Sequence, residues 1–187
     1  MKLLYAICGS FCTHKYSLET LKRLSDGNDI TPALSEAVES TDTRFGTAAS
    51  LISSVSEITG KVPITSIKAA EETVTGGSFD CLIVSPCTGN TLAKIANGIT
   101  DSTVTMCVKA QLRCRKPVLI ALATNDGLGA NLFNIALTLE KKNIYYVPFG
   151  QDSPSGKPTS LICDFGLVDL SLEHAVRGSQ LQPILLK

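Results

Sequence analysis

Three stretches of this chain, KLLYAIC at 2–8, CLIV at 81–84 and PVLIALA at 117–123, are near-continuous apolar runs without polar alternation. A strand with one face in water alternates polar and apolar residues. A strand covered on both faces does not, and such runs suit a parallel sheet with helices on either side. DITPAL at 29–34 and NIYYVPF at 143–149 bring the predicted strands to five. Helical spacing fills the intervals. Leu18, Leu21 and Leu24 share one face, as do Phe45, Ala48, Ile52 and Val55, then Leu92, Ile95 and Ile99. Val104, Val108 and Leu112 form a fourth stripe, Leu132, Ile135 and Leu139 a fifth, and Leu167, Leu170 and Ala175 mark a last helix. Alternating strands and helices imply an α/β fold: a three-layer sandwich on a mainly parallel sheet of about five to six strands, with right-handed crossovers.

A length of 187 residues suits one domain spanning 1–187, and 44% apolar residues suffice for its core. With no Trp and few aromatics, that core is mainly aliphatic. QDSPSGKPTS at 151–160 is rich in Ser, Pro and Gly and reads as a loop or flap, since too little chain follows it to form a second core. Formal net charge is zero, so no broad attraction to nucleic acid or anionic membrane is implied. No apolar run reaches the roughly 18–20 residues that cross a bilayer, and MKLLYAICGS reads as a first strand, not a secretory signal. Seven cysteines without a Cys-x-x-Cys pair, and two histidines, argue for reduced thiols in a cytosolic protein and against a metal site.

In open α/β sheets, ligands bind beyond the carboxyl ends of the strands. Four such ends carry small hydroxyl, amide or glycine residues. Gly9, Ser10, Phe11, Cys12 and Thr13 follow the first strand, and Ser35-Glu36 the second. Ser85, Pro86, Cys87, Thr88, Gly89, Asn90 and Thr91 follow the third, and Thr124, Asn125, Asp126 and Gly127 the fourth. Glycine lets backbone approach a ligand, and helix N-termini present free N–H groups to anions. Together these ends describe a pocket for a neutral ring with a phosphate tail. Each also has a plainer reading. Ser10, Thr88 or Asn90 can cap a helix, and Asp126 can form an Asx-turn with Gly127. Neither Gly-x-Gly-x-x-Gly nor a Walker loop is present, which weighs against dinucleotide and nucleoside triphosphate sites. Cys87 has no partner that would activate it and reads as a small packing residue.

SPCTGNTLAKIANGITDS at 85–102 resembles the Pro-Ala-Ser/Thr-Ala-Asn-Thr motif of the flavin-binding cysteine-decarboxylase superfamily, and Gly9-Ser10 resembles its first phosphate-binding turn. That resemblance implies a Rossmann-like sandwich, FMN as cofactor and assembly into trimers or dodecamers. It implies FMN contacts for Gly9, Ser10, Phe11, Ser35, Pro86, Thr88, Gly89, Asn90, Thr91, Thr124 and Asn125. Two departures count against cysteine decarboxylation. KVPITSIKAAEE at 61–72 lacks the active-site His, and ATND at 123–126 replaces the Pro-x-Met-Asn segment.

STDTRFG at 40–46, ATNDGLGAN at 123–131, KNIYYVPFGQDSP at 142–154 and QLQPILL at 180–186 resemble, more closely, the family of dipicolinate synthase B subunits. This implies a separate A subunit carrying NADP, a small dicarboxylate substrate, and oxidation of dihydrodipicolinate to dipicolinate in the cytoplasm of the mother cell of a sporulating bacterium. Such chemistry uses cations for two carboxylates. Arg44, Lys109 and Arg113 are the candidates, the last two spaced i,i+4 on one helix; the alternative for that pair is a solvated helix face. The flavin prenyltransferases place an arginine where this chain has Met106. Asp126 and His14 are the candidates for proton handling, with a turn-forming and a surface or capping role as their alternatives. Two other functions fit the same phosphate turns: a non-catalytic subunit that supports its A partner, and a stand-alone decarboxylase or prenyltransferase.

Overall fold

The computed structural model describes residues 1–186. Seven strands form one sheet: β1 (Lys2–Ile7), β2 (Asp29–Leu34), β3 (Cys81–Cys87), β4 (Val118–Thr124), β5 (Ile144–Tyr146), β6 (Phe149–Ser153) and β7 (Lys157–Cys163). Their order is β2-β1-β3-β4-β7-β6, with β5 also on β4. β1 to β5 pair in parallel, as the unbroken apolar runs require. β3 is buried along its whole length and β4 at all but its last residue.

Eight helices connect and cover the strands: α1 (His14–Ser25), α2 (Glu36–Ser40), α3 (Ala48–Thr59), α4 (Ile67–Gly77), α5 (Gly89–Asn97), α6 (Thr103–Arg113), α7 (Asn131–Leu139) and α8 (Val168–Val176). Their apolar stripes explain their seating. Leu21 and Leu24 of α1, Leu92 and Ile95 of α5, and Val104 and Val108 of α6 are all in the core. Each such side chain contributes about 1.5–3 kcal/mol by leaving water. None of these helices is long and apolar enough to cross a membrane.

Several expectations are corrected. NIYYVPF does not form one strand: β5 stops at Tyr146 and β6 begins at Phe149. The segment at 151–160 is not a loop but most of the antiparallel β6–β7 hairpin. β3 runs on through Ser85 and Pro86 to Cys87, with an irregular register against β4, and α5 starts at Gly89. α4 is a helix that the apolar stripes do not predict. The fifth stripe is only partly buried: Ile135 is in the core, whereas Leu132 and Leu139 are 51% and 43% exposed.

One edge of β4 is shared in a way that positions the site. Val118–Ile120 pair with β5, while Ala123 and Thr124 pair with Ile162 and Leu161 of β7. The short β5 therefore leaves the carboxyl half of β4 free, and the hairpin takes that place.

Candidate functional site

The carboxyl ends of β1, β3 and β4 open into a cleft of about 580 Å³, with the β6–β7 hairpin along one side. It is lined by Gly9, Ser10, Phe11, Thr88, Gly89, Asn90, Thr124, Asn125, Asp126 and Arg44 among the residues singled out from sequence. Such a volume lies in the range of small-molecule sites. Pro86 and Thr91 do not line it, nor does Ser35. Pro86 is buried and its carbonyl accepts the Cys8 N–H, and Thr91 is turned to the Thr88 hydroxyl.

The plain reading holds for Thr88. Its Oγ1 accepts the Thr91 N–H at 3.3 Å and caps α5. It does not hold for Ser10, and Ser35 is in the same position. Ser10 precedes a short 3-10 turn (Phe11–Thr13) and Ser35 precedes α2, yet neither side chain caps its helix. Ser35 Oγ is buried and has no hydrogen-bond partner among the described residues. A buried hydroxyl left unpaired is costly, and Ser171 Oγ of α8 is in the same state.

The TNDGLGAN segment is folded by its own side chains. Thr124 Oγ1 and Asn131 Nδ2 both donate to Asp126 Oδ1, the latter at 2.8 Å, and Asn134 Nδ2 donates to Asn131 Oδ1 at 2.9 Å. The Thr124 hydroxyl foremost, and the Asn131 amide, hold the Asp126 carboxyl below the usual carboxylate range. Asp126 is thus anionic at neutral pH and a weak base. Its carboxylate ties β4 to the start of α7, in place of the Asx-turn with Gly127 that is its alternative reading. Gly89 lies against this cluster: a Cβ there would sit 2.5 Å from Thr124 Oγ1 and 2.9 Å from Asp126 Oδ1. Only glycine lets the first turn of α5 come so close.

His14 is not in the cleft. It is buried in the first turn of α1, where Nε2 donates to the Cys8 carbonyl at 2.8 Å. Burial lowers its pKa, so the ring is neutral. It lines an adjoining cavity of about 660 Å³ between α1 and α3, which shares Phe11, Cys12 and Phe45 with the cleft. Arg44 stands at the junction, its guanidinium 4.8 Å from the Phe45 ring centroid.

Lys109 and Arg113 are not brought to the cleft. Arg113 donates to Thr75 Oγ1 of α4 at 3.0 Å, and Gln111 Nε2 donates to the carbonyls of Phe79 and Pro117, which precede β3 and β4. The last turn of α6 therefore lies at the amino edge of the sheet, opposite the cleft. Cys12 and Thr13, which follow β1, line the cleft as well, and sequence reasoning missed Phe45, Asp152, Lys157, Ser160, Leu161 and Ile162, all of which line it. The apolar run Leu161-Ile162-Cys163 after Thr159-Ser160 was the available signal for the last three. Burial pushes the Cys8 thiol up to about 11 and the Cys87 thiol well above its ordinary value, so both stay protonated. Among the described residues no cluster of His, Cys, Asp and Glu could hold a metal ion.

Comparison with known proteins agrees with this architecture. The family described as Flavoprotein matches residues 1–170. The B subunit of dipicolinate synthase from Bacillus subtilis (strain 168) is 38% identical over 184 residues, 98% of this chain and 92% of that protein. The crystal structure of the dipicolinate synthase B subunit from Bacillus halodurans superposes with a TM-score of 0.91 at 39% identity, covering 100% of this chain and 96% of that one. An FMN-dependent cysteine decarboxylase shares the fold at 23% identity and a TM-score of 0.63, covering 94% and 97% of the two chains. With its parallel sheet, its cleft at the strand ends and these matches, the chain belongs to the Flavoprotein family, in the branch of the dipicolinate synthase B subunits.

Proposed function

We propose that this chain binds FMN in the cleft and, with an NADP-carrying A subunit, oxidises dihydrodipicolinate to dipicolinate in the mother cell of a sporulating bacterium. The observation that carries the cofactor reading is the pair of serines at the ends of β1 and β2. Both occupy capping positions and leave their hydroxyls uncommitted to the backbone. Ser10 lines the cleft, and Ser35, which does not, adjoins the end of β1 through its N–H on the Ile7 carbonyl; both are suited to a phosphate. Thr88, Gly89, Asn90, Thr124 and Asn125 present backbone and side-chain polar groups to a ring in the cleft, and Phe11 offers it an apolar wall. When bound, FMN supplies the two-electron acceptor chemistry.

The oxidation removes two electrons and two protons from a partly reduced pyridine ring bearing two carboxylates. This chain's share is to bind and orient that dianion and to limit water. Arg44, braced on Phe45 at the rim, is suited to one carboxylate. Asp126 keeps Thr124 and Asn131 in place and fixes the cleft wall. Assembly of copies into a trimer or dodecamer, and contact with the A subunit, belong to the same proposal. Leu132 and Phe133, 51% and 68% exposed, supply apolar surface for such contacts.

One observation favours a supporting role without turnover in this chain. The cleft presents no base poised near neutral pH, since Asp126 is held low and His14 is buried elsewhere. An absorbance titration with FMN, with and without the A subunit, separates the two. Bands near about 370 and 450 nm that bleach on adding substrate establish oxidation here. Absence of flavin uptake in either setting leaves the supporting role.

A further inference from the structure

Two cations line the cleft, Arg44 and Lys157. Lys157 opens β7, and its Nζ donates to Asp152 Oδ2 of β6 at 2.8 Å. Both side chains are open to water, at 55% and 33% exposure. An ion pair this exposed contributes little stability, because water screens it and two side chains must be held still. Exchanging Asp152 for another carboxylate is therefore cheap. The stem beneath the pair is held firmly. Thr159 Oγ1 donates to the Asn125 carbonyl at 2.7 Å, Ser160 Oγ donates to the Thr124 carbonyl at 3.2 Å, and the Leu128 N–H donates to the Thr159 carbonyl at 3.0 Å. The hairpin thus carries a cation on a stem tied to the cleft wall.

Charge makes the same point. The four ionisable side chains lining the cleft besides its Cys12 thiol, Arg44, Lys157, Asp126 and Asp152, sum to zero. Asp126 is occupied by Thr124 and Asn131. Of the two anions, Asp152 is the one held solely by a lysine, so it is the one a substrate carboxylate can displace.

We propose that Lys157 binds one carboxylate of the dicarboxylate substrate, with Arg44 on the other, and that Asp152 occupies that carboxylate's place on Lys157 until the substrate arrives. This rests on the dicarboxylate function proposed above. It assigns a residue and an exchange that the function alone does not contain, and it predicts preference for a dicarboxylate over a monocarboxylate.

The test is calorimetric titration of the full chain, loaded with FMN and joined to its A subunit. The probes are pyridine-2,6-dicarboxylate and, as control, pyridine-2-carboxylate. Lys157→Ala should weaken the dicarboxylate by about tenfold or more, and Lys157→Arg should recover most of the loss. Asp152→Asn should tighten it, and FMN affinity should stay within about twofold in all three variants. Unchanged dicarboxylate affinity in Lys157→Ala overturns the assignment. So does a parallel loss of FMN, which would give Lys157 to the cofactor. If wild-type protein takes up FMN but not the dicarboxylate, or takes up neither, the functional reading fails first and the assignment falls with it.

Discussion

Gly127 and Leu161 are packed so closely that a Cβ at position 127 would stand 2.6 Å from Cγ of Leu161. The contact joins the turn after β4 to the hairpin that walls the cleft. Gly127→Ala should therefore cost about 1–3 kcal/mol, the usual range for overpacking. Urea unfolding measures it. A double-mutant cycle with Leu161→Ala should return part of the loss, since the smaller side chain makes room. Additive effects would show that the strain goes elsewhere.

Ser35→Ala should act with opposite signs on two quantities. In the free protein, it removes a buried hydroxyl with no partner, so stability should be unchanged or rise by up to about 1 kcal/mol. With FMN present, the same change should weaken binding by about tenfold. Thermal melts with and without FMN read both. A Ser35 that only packs would leave FMN affinity untouched.

Asp126→Asn tests whether the carboxylate organises the cleft wall. It accepts hydrogen bonds from Thr124 and Asn131, and the carboxyl is largely exposed, so the loss at pH 7 should be about 1 kcal/mol. The sign follows from the lowered pKa. A carboxyl more acidic in the folded state adds stability that is complete above its unfolded pKa and is lost as pH falls through the folded one. The gap between wild type and variant, by urea unfolding, should thus close on acidification below about pH 4. A gap constant down to pH 2 would deny the charge any part.

The parallel sheet was legible in the sequence because burial on both faces leaves an unbroken apolar signature, as in CLIV and PVLIALA. The cleft was legible for a similar reason: Gly9, Thr88, Gly89 and Thr124 follow those strands, and topology alone brings strand ends together. The hairpin was not. QDSPSGKPTS has the composition of a loop, and its pairing with β4 depends on β5 stopping at Tyr146, a distant event. Spacing put Lys109 and Arg113 on one helix face but could not say which edge of the sheet that part of the helix occupies. Its last turn lies at the amino edge, with Arg113 against Thr75. His14 failed for a local reason. Only five residues separate it from Gly9, yet the helix it enters turns the ring onto the Cys8 carbonyl just past β1 and into the adjoining cavity, not the cleft.

His14 should give the protein a measurable pH dependence of its own. Its Nε2 donates to the Cys8 carbonyl, and burial lowers its pKa from an ordinary value of 6.5. The unfolded chain therefore takes up a proton at a higher pH than the folded one. Above about pH 6.5 the two states bind it equally little and the histidine contributes no slope. As pH falls from there to the lowered folded value, protonation favours the unfolded chain and stability declines. Below that value the decline from this group levels off. His14→Gln, with an amide N–H for the Cys8 carbonyl and no titration in this range, should show a flatter profile as pH falls below about 6.5. Urea unfolding at several pH values gives the comparison, and the imidazole proton resonances give the folded pKa directly. A folded pKa at or above 6.5 would mean that the ring is solvated and that the adjoining cavity admits water to it.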